Sequence, residues 1–138
     1  MRTAFSFMLA AALIAGGASA RPPKATPINA KGEAALAKLL EGRVAGKPVS
    51  CISAMNSQSS QVIDGTAVVY QSTGRTIYVN RPRVGADQLD SDDILVTRIW
   101  GSQLCSLDQV RLVDRTSRFP RGFVGLGEFV PYTKAKKG

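Results

Sequence analysis

The fold is decided by the stretch Thr66-Ala-Val-Val-Tyr-Gln-Ser-Thr-Gly-Arg-Thr-Ile-Tyr-Val-Asn80. Its two ends are rich in β-branched and aromatic residues, and they flank Gln71-Ser-Thr-Gly74, which has the composition of a turn. In the second run Ile77 and Val79 fall on one face and Tyr78 on the other, because side chains alternate along a strand. The pattern predicts a β-hairpin.

The segment before the hairpin has helical spacing instead. Between Lys31 and Arg43, apolar residues such as Leu36 and Leu39 recur on one side, and charged residues lie mostly elsewhere. Gly42 or Gly46 can end such a helix in a left-handed conformation. We expect one amphipathic helix that covers a sheet.

Three more strands are predicted around these elements, at Val49–Ala54, Ile94–Trp100 and Gln109–Asp114. Both faces of Ile94–Trp100 are largely apolar, which favours a central position in the sheet. Gly101–Ser106 is expected to be a short loop or turn that brings Cys105 into place. The stretch Phe119–Tyr132 has irregular spacing, and we expect it to lie extended over the core. The predicted fold class is therefore α+β, with one N-terminal helix on a small antiparallel sheet or partly closed barrel of about five strands.

The two cysteines, Cys51 and Cys105, lie in otherwise apolar segments. In an exported protein such a pair is typically a disulfide, which would stabilise the fold by about 4 kcal/mol in the chain-entropy model. The alternative is a metal-binding or catalytic thiol. The chain has no histidine to act as a base or co-ligand, so the disulfide is favoured.

The first 20 residues have the three parts of a cleavable signal peptide. Arg2 is positive, Ala4–Ala15 is almost wholly apolar, and Ala18-Ser-Ala20 is a small-x-small cleavage pattern. A retained membrane anchor is the alternative, but the apolar run is shorter than the roughly 20 residues of a spanning helix. The predicted organisation is a signal peptide at 1–20, a flexible leader at 21–30, one domain at 31–133 and a basic tail at 134–138. The mature protein is expected in the periplasm or outside the cell, with no membrane span after cleavage.

The chain is basic. Removal of Arg2 with the signal peptide leaves 17 Lys and Arg against 10 Asp and Glu, a net charge of +7. Such an excess favours anionic partners, and outside the cytoplasm these are envelope polymers, lipid headgroups or nucleic acid. A surface that merely keeps a small protein soluble is the alternative.

Arginines interleaved with aromatic residues form the most suggestive pattern for binding. Arginine forks pair with phosphate or carboxylate groups, and Phe119 and Phe123 could stack on a ring of the ligand. Ion pairing of these arginines with Asp108 and Asp114 is the alternative. The candidate anion-binding residues are Arg81, Arg83, Arg111, Arg115, Arg118 and Arg121.

Two sets of carboxylates are candidates for sites. Four lie close together before Ile94, but the spacing lacks the glycine and distal glutamate of an EF-hand, so turn and capping roles are favoured over Ca²⁺ binding. Others could form a pair that hydrolyses glycosides, although the sequence gives no separation between them. The first set is Asp87, Asp90, Asp92 and Asp93, and the second is Asp64, Asp108, Asp114 and Glu128.

The remaining patterns indicate no catalytic residue, no metal ligand and no cofactor. Without histidine, a Ser-His-Asp triad, a Cys-His dyad and a histidine-ligated zinc site are impossible. Gly122, Gly125 and Gly127 do not match the dinucleotide-binding fingerprint and open no helix. Tight turns or close backbone packing explain these glycines better.

Four stretches resemble a family of small, uncharacterised exported proteins of alphaproteobacteria, particularly sphingomonads. They are Leu40-Glu-Gly-Arg-Val-Ala-Gly-Lys-Pro-Val-Ser-Cys-Ile52, Ile77-Tyr-Val-Asn-Arg-Pro-Arg83, Asp92-Asp-Ile-Leu-Val-Thr-Arg98 and Gly122-Phe-Val-Gly-Leu-Gly-Glu-Phe-Val-Pro-Tyr132. The resemblance implies an envelope or extracellular location. It carries no established activity, so no functional residue is transferred from it.

The function that these observations favour is a non-enzymatic accessory or binding module with a basic face for an anionic envelope polymer or another exported protein. Two alternatives stay open. One is a small hydrolase of envelope polysaccharide that acts through Asp or Glu. The other is a protein inhibitor of an exported enzyme, with a rigid loop held by the disulfide.

Overall fold

Antiparallel strands dominate the computed structural model, which describes residues 29–57, 59–72 and 74–136. The expected α+β architecture of about five strands is wrong. The described residues are mostly β, with ten strands in three sheets, one α-helix and no closed barrel. The predicted signal peptide 1–20, the predicted leader as far as residue 28 and the last two residues of the tail lie outside the described residues.

Two of the connections between the elements contain 3₁₀ turns, at Ala54–Ser57 and Ala86–Gln88. The sheet orders are β1-β10-β5-β4-β3, β2-β7 and β6-β8-β9. In chain order the elements are α1 (Ala30–Leu39), β1 (Arg43–Ala45), β2 (Cys51–Ser53), β3 (Ser60–Ile63), β4 (Ala67–Gln71), β5 (Thr76–Asn80), β6 (Asp93–Thr97), β7 (Gln103–Cys105), β8 (Gln109–Asp114), β9 (Pro120–Gly125) and β10 (Phe129–Lys134).

The predicted hairpin is confirmed as β4 and β5, in the middle of the five-stranded sheet. Tyr70 lies opposite Tyr78 in the register, and Gln71 lies opposite Ile77. The side chains of β4 alternate between two cores, so the middle of the sheet is buried on both faces. Val68 and Tyr70 enter one hydrophobic cluster, and Ala67 and Val69 enter the other.

Helix α1 covers one face of this sheet through Leu36, which is buried against the cluster that contains Val69. The Asn29 side chain accepts a hydrogen bond from the Gly32 N–H at 3.1 Å, which satisfies one of the free donors of the first turn. The helix ends at Leu39, four residues before the predicted end. Gly42 takes a φ of +70°, and the chain then enters β1.

The other face of the five-stranded sheet packs against the two smaller sheets. Tyr70 and Phe129 of the large sheet share a core with Leu104 of β7 and Leu112 of β8. The rings of Tyr70 and Phe129 lie 5.8 Å apart between centroids. Burial raises the pKa of Tyr70, whose hydroxyl finds no hydrogen-bond partner among the described residues, so this side chain stabilises the core through its ring.

Three predicted details need correction. Ile94–Trp100 is predicted in the centre of a sheet, but β6 is an edge strand and β8 is central. Phe119–Tyr132 is predicted as irregular extended backbone, but it contains the regular strand β9 and most of β10. The short loop predicted around Cys105 contains β7, which pairs with β2.

The predicted disulfide is confirmed. Cys51 and Cys105 are directly opposite each other in the β2–β7 pair, and their sulfur atoms are bonded. The bridge holds the smallest sheet, in which each strand has three residues. Among the described residues, no helix is long and apolar enough to cross a bilayer.

Candidate ligand-binding site

The candidate site lies on the outer face of the three-stranded sheet. Val110 and Leu112 of β8 point into the core and are fully buried, so Arg111 between them points outward. The register places Val96 of β6 and Phe123 of β9 on either side of Arg111. Val96 and Phe123 are each 48 % exposed, so both present apolar surface to solvent beside Arg111.

Two loops border this face of the sheet. Trp100 follows β6 and Leu107 follows β7, and both are 81 % exposed. The second loop is a tight turn in which the Asp108 N–H donates to the Cys105 carbonyl at 3.0 Å. Asp108 Oδ2 accepts a hydrogen bond of 2.7 Å from the Cys105 N–H, so this turn is locked next to the disulfide.

The face and the loops line an open cleft of about 560 Å³, which we call the sheet cleft. Its apolar lining is Val96, Trp100, Leu107 and Phe123, and its polar lining is Thr97, Arg98, Asp108, Gln109 and Arg111. A second cleft of about 400 Å³ shares Gln109, Arg111 and Phe123 with it and continues to Pro120 and Arg121. The two clefts are therefore contiguous across the outer face of the sheet.

The charges in the sheet cleft are unbalanced. Arg98 and Arg111 contribute two cations, and neither forms an ion pair within the described part of the chain. Asp108 is the one acid in the lining, and its carboxylate is already bonded to the Cys105 N–H. Two unpaired guanidinium groups beside exposed apolar surface can bind a carboxylate, sulfate or phosphate in a fork geometry.

Of the six arginines predicted from the sequence, Arg111 and Arg121 line the two clefts. The Arg121 guanidinium is largely occupied, because its Nε lies 3.1 Å from Asp93 Oδ1 and its Nη2 lies 3.2 Å from the Gln88 carbonyl. Burial of Asp93 raises the pKa of its carboxyl, although Arg121 opposes the shift. Arg121 therefore satisfies a buried carboxylate.

The other four predicted arginines lie outside the linings of these two clefts. Arg81 is bonded to Glu33 of the helix through both guanidinium NH₂ groups, and the backbone of Arg83 bonds to that of Gly125. Arg115 lines a separate cleft between β3 and β6. Arg118 is exposed in the turn between β8 and β9.

The acids considered for hydrolysis are mostly used in turns. Asp64 Oδ1 accepts a hydrogen bond from the Ser91 N–H at 2.6 Å. Asp114 Oδ1 accepts bonds from the Ser117 and Thr116 N–H groups, and these bonds lower the pKa of the Asp114 carboxyl. A carboxylate held ionised in this way is a poor general acid.

The acidic stretch before β6 also serves the backbone. Asp90 Oδ1 accepts a hydrogen bond of 2.9 Å from the Asp92 N–H, and Asp93 is paired with Arg121. Within residues 29–57, 59–72 and 74–136, no group of three or more His, Cys, Asp or Glu side chains is placed to hold a metal ion.

Sequence reasoning found Arg111 and Phe123 but missed Arg98, Trp100 and Leu107. A signal was present, since Trp100 is the single tryptophan of the chain and precedes Gly101, a turn residue with φ of +85°. The apolar outer side of β6 was a second signal. It predicts burial in a sheet centre, whereas Val96 and Trp100 face solvent at the sheet cleft.

No protein-family model, curated protein or solved structure matches this chain. The resemblance to small exported proteins of alphaproteobacteria therefore stays a prediction, and the site is characterised by its geometry and charge.

Proposed function

We propose that this protein is a non-enzymatic binding module that holds an anionic partner in the sheet cleft. The observation that carries the proposal is the presence of two arginines without acidic partners among the described residues, Arg98 and Arg111, beside exposed apolar side chains. Segment 1–20 predicts export, so the partners considered are those outside the cytoplasm. The disulfide is compatible with that location.

A hydrolase is less well supported by the same cleft. Asp108 is its one carboxylate among the described residues, and that group bonds the backbone of its own turn. Glycoside hydrolysis needs a second carboxyl group facing the first across the bond to be cleaved. The lining has arginines in place of that group, and these suit binding of an anion.

The test is retention on immobilised heparin, a dense polyanion, with elution by a salt gradient. The variant Arg98→Gln/Arg111→Gln removes both unpaired cations from the cleft. We expect its affinity to fall about tenfold or more, because charge-assisted hydrogen bonds to an anion are lost. Wild-type retention should weaken steeply as salt rises.

The matched control is Lys31→Gln/Lys38→Gln, which removes the same charge from exposed positions on α1. This helix covers the opposite face of the five-stranded sheet. We expect the control to elute close to wild type. Equal losses in both variants would mean that net charge alone drives binding, and this would overturn the site.

A further inference from the structure

We infer that the anionic partner is an acidic polysaccharide, whose sugar rings stack on Trp100 while its carboxylates pair with Arg98 and Arg111. This inference rests on the proposed function. It follows from three features of the sheet cleft: its aromatic edge, its neutral polar lining and its continuation into the second cleft.

The aromatic edge suits a pyranose ring. Trp100 is 81 % exposed, and Phe123 is 48 % exposed on the sheet beside it. The face of an aromatic ring carries partial negative charge, and it attracts the slightly positive C–H bonds on one side of a sugar. Exposed rings next to unpaired arginines can thus hold the apolar and the charged parts of one acidic sugar chain.

The neutral polar groups distinguish this polymer from a polyphosphate. Gln109, which lies on the same side of β8 as Arg111, offers an amide that can bond to the hydroxyl groups of sugars. Asp108 also lines the cleft, and its carboxylate would repel the closely spaced phosphates of a nucleic acid. Two arginines and one acid fit a polymer of lower charge density that carries many hydroxyl groups.

The continuation of the sheet cleft along the sheet suits an extended chain. The sheet cleft continues into the second cleft past Arg111 and Phe123, which line both. Because the sheet cleft is concave between Trp100 and Leu107, it can hold an extended polymer.

The experiment uses the fluorescence of Trp100, the single tryptophan of the chain. The full mature protein is titrated with oligogalacturonate, a polymer of acidic sugars. The other probes are a neutral glucose oligomer of the same length, a thymidine oligonucleotide and vesicles containing phosphatidylglycerol. We expect a saturable change in emission with oligogalacturonate at concentrations where the other three give none.

Variants are compared by retention on immobilised polygalacturonate, which does not require the indole. We expect Trp100→Ala to weaken retention about tenfold, by analogy with the stacking of other rings on aromatic side chains. Phe119→Ala is the matched control, because Phe119 is 73 % exposed but lines neither cleft. Circular dichroism confirms that each variant is folded.

The possible failures can be told apart. The charge of heparin is mostly sulfate, whereas that of oligogalacturonate is carboxylate. Arginine-dependent retention on heparin without a response to oligogalacturonate would therefore overturn the carboxylate polysaccharide and leave the proposed function standing. Stronger binding of the oligonucleotide or of the vesicles would also overturn the polysaccharide, in favour of that partner. The absence of arginine-dependent retention on any polyanion would overturn both proposals.

Discussion

At the scale of single residues, buried polar groups connect elements that are distant in sequence. Asn80 is fully buried, and its side chain donates to the Gly127 carbonyl at 2.7 Å. It also accepts from the Gly127 N–H at 3.0 Å. These two bonds fix the connection between β9 and β10 against the end of β5, and β9 carries Phe123 into the sheet cleft.

The turn between β8 and β9 contains a residue in an unfavourable backbone conformation. Arg118 has a φ of +63°, and it is the single non-glycine residue with positive φ among those described. A side chain costs roughly 1–2 kcal/mol in the left-handed region, and glycine avoids much of this cost. We expect Arg118→Gly to raise the free energy of unfolding by about 0.5–1 kcal/mol, as measured by urea denaturation.

Arg115→Gly is the matched control for this prediction, because it removes the same charge from the same turn. Arg115 does not have positive φ. Glycine there only increases the freedom of the unfolded chain, so we expect lower stability. A loss of stability in both variants would show that the Arg118 side chain compensates for its backbone conformation.

At the scale of elements, helix α1 is joined to the sheet by an ion pair as well as by Leu36. Glu33 Oε2 lies 2.9 Å from Nη2 of Arg81, which follows β5. In a second hydrogen bond, Nη1 of Arg81 donates to Oε1 of Glu33. The hydrogen bond from Arg81 lowers the pKa of the Glu33 carboxyl, and the Glu33 carboxylate raises the pKa of Arg81.

Because of this ion pair, the free energy of unfolding should decrease at acid pH. A carboxyl whose pKa is lowered on folding contributes stability above its unfolded pKa of about 4.3, and this is lost as the pH falls through the lower folded value. At pH 7 we expect Glu33→Gln to be less stable than wild type by at most about 1 kcal/mol, because both side chains are partly exposed.

The measurement is the urea midpoint of both proteins from pH 7 down to pH values below the unfolded pKa of glutamate. The difference between them should shrink with acid and should be smaller in high salt. A difference that stays constant with pH would mean that the glutamine side chain disturbs helix packing and that the charge of Glu33 contributes nothing.

Elements rich in β-branched and aromatic residues could be predicted from the sequence, and elements of mixed composition could not. The runs around Val69 and Val79 predict β4 and β5 because both faces of these strands meet a core. Strand β3 begins with the polar Ser60 and Gln61, and β10 contains Pro131, so neither has the composition of a strand. These strands form because they pair with β4 and β5, which is a tertiary effect.

The same reasoning explains what could be predicted of the sheet cleft. Arg111 was predicted because it belongs to a run of arginines interleaved with Phe119 and Phe123. Trp100 and Leu107 were not predicted as site residues because the geometry of their loops brings them to the cleft, and no local sequence pattern predicts that geometry. An apolar residue on a strand can pack against a ligand as well as against the hydrophobic core.

At the scale of the whole molecule, the layers leave one face for binding. Helix α1 covers one side of the five-stranded sheet, and the two smaller sheets cover the other. The outer face of the three-stranded sheet has no covering layer among the described elements, and it carries Val96, Arg111 and Phe123. The core therefore holds the floor of the sheet cleft rigid while its lining stays exposed.

The disulfide stabilises the whole fold and also holds the loops at the edge of this cleft. Strand β7 carries Cys105 and lies between the loops of Trp100 and Leu107. It is paired with the three residues of β2, and bonds from Ala54 N–H to the Ser102 carbonyl and from Ser106 N–H to the Ser50 carbonyl extend that pairing. So short a pair is weak by itself, because two-stranded ribbons are marginal in water. The covalent bridge holds β7, and with it both loops, against the core.

We therefore expect Cys51→Ser/Cys105→Ser to lower the free energy of unfolding by about 4 kcal/mol, the chain-entropy value for a loop of this length. Urea denaturation measures this loss. Under conditions where circular dichroism shows a folded variant, retention on polygalacturonate should also weaken, because Trp100 and Leu107 are held less firmly. Reduction of the wild-type bridge should reproduce both effects and leave the variant unchanged. A variant that loses stability but binds as tightly as wild type would show that the core alone positions the two loops.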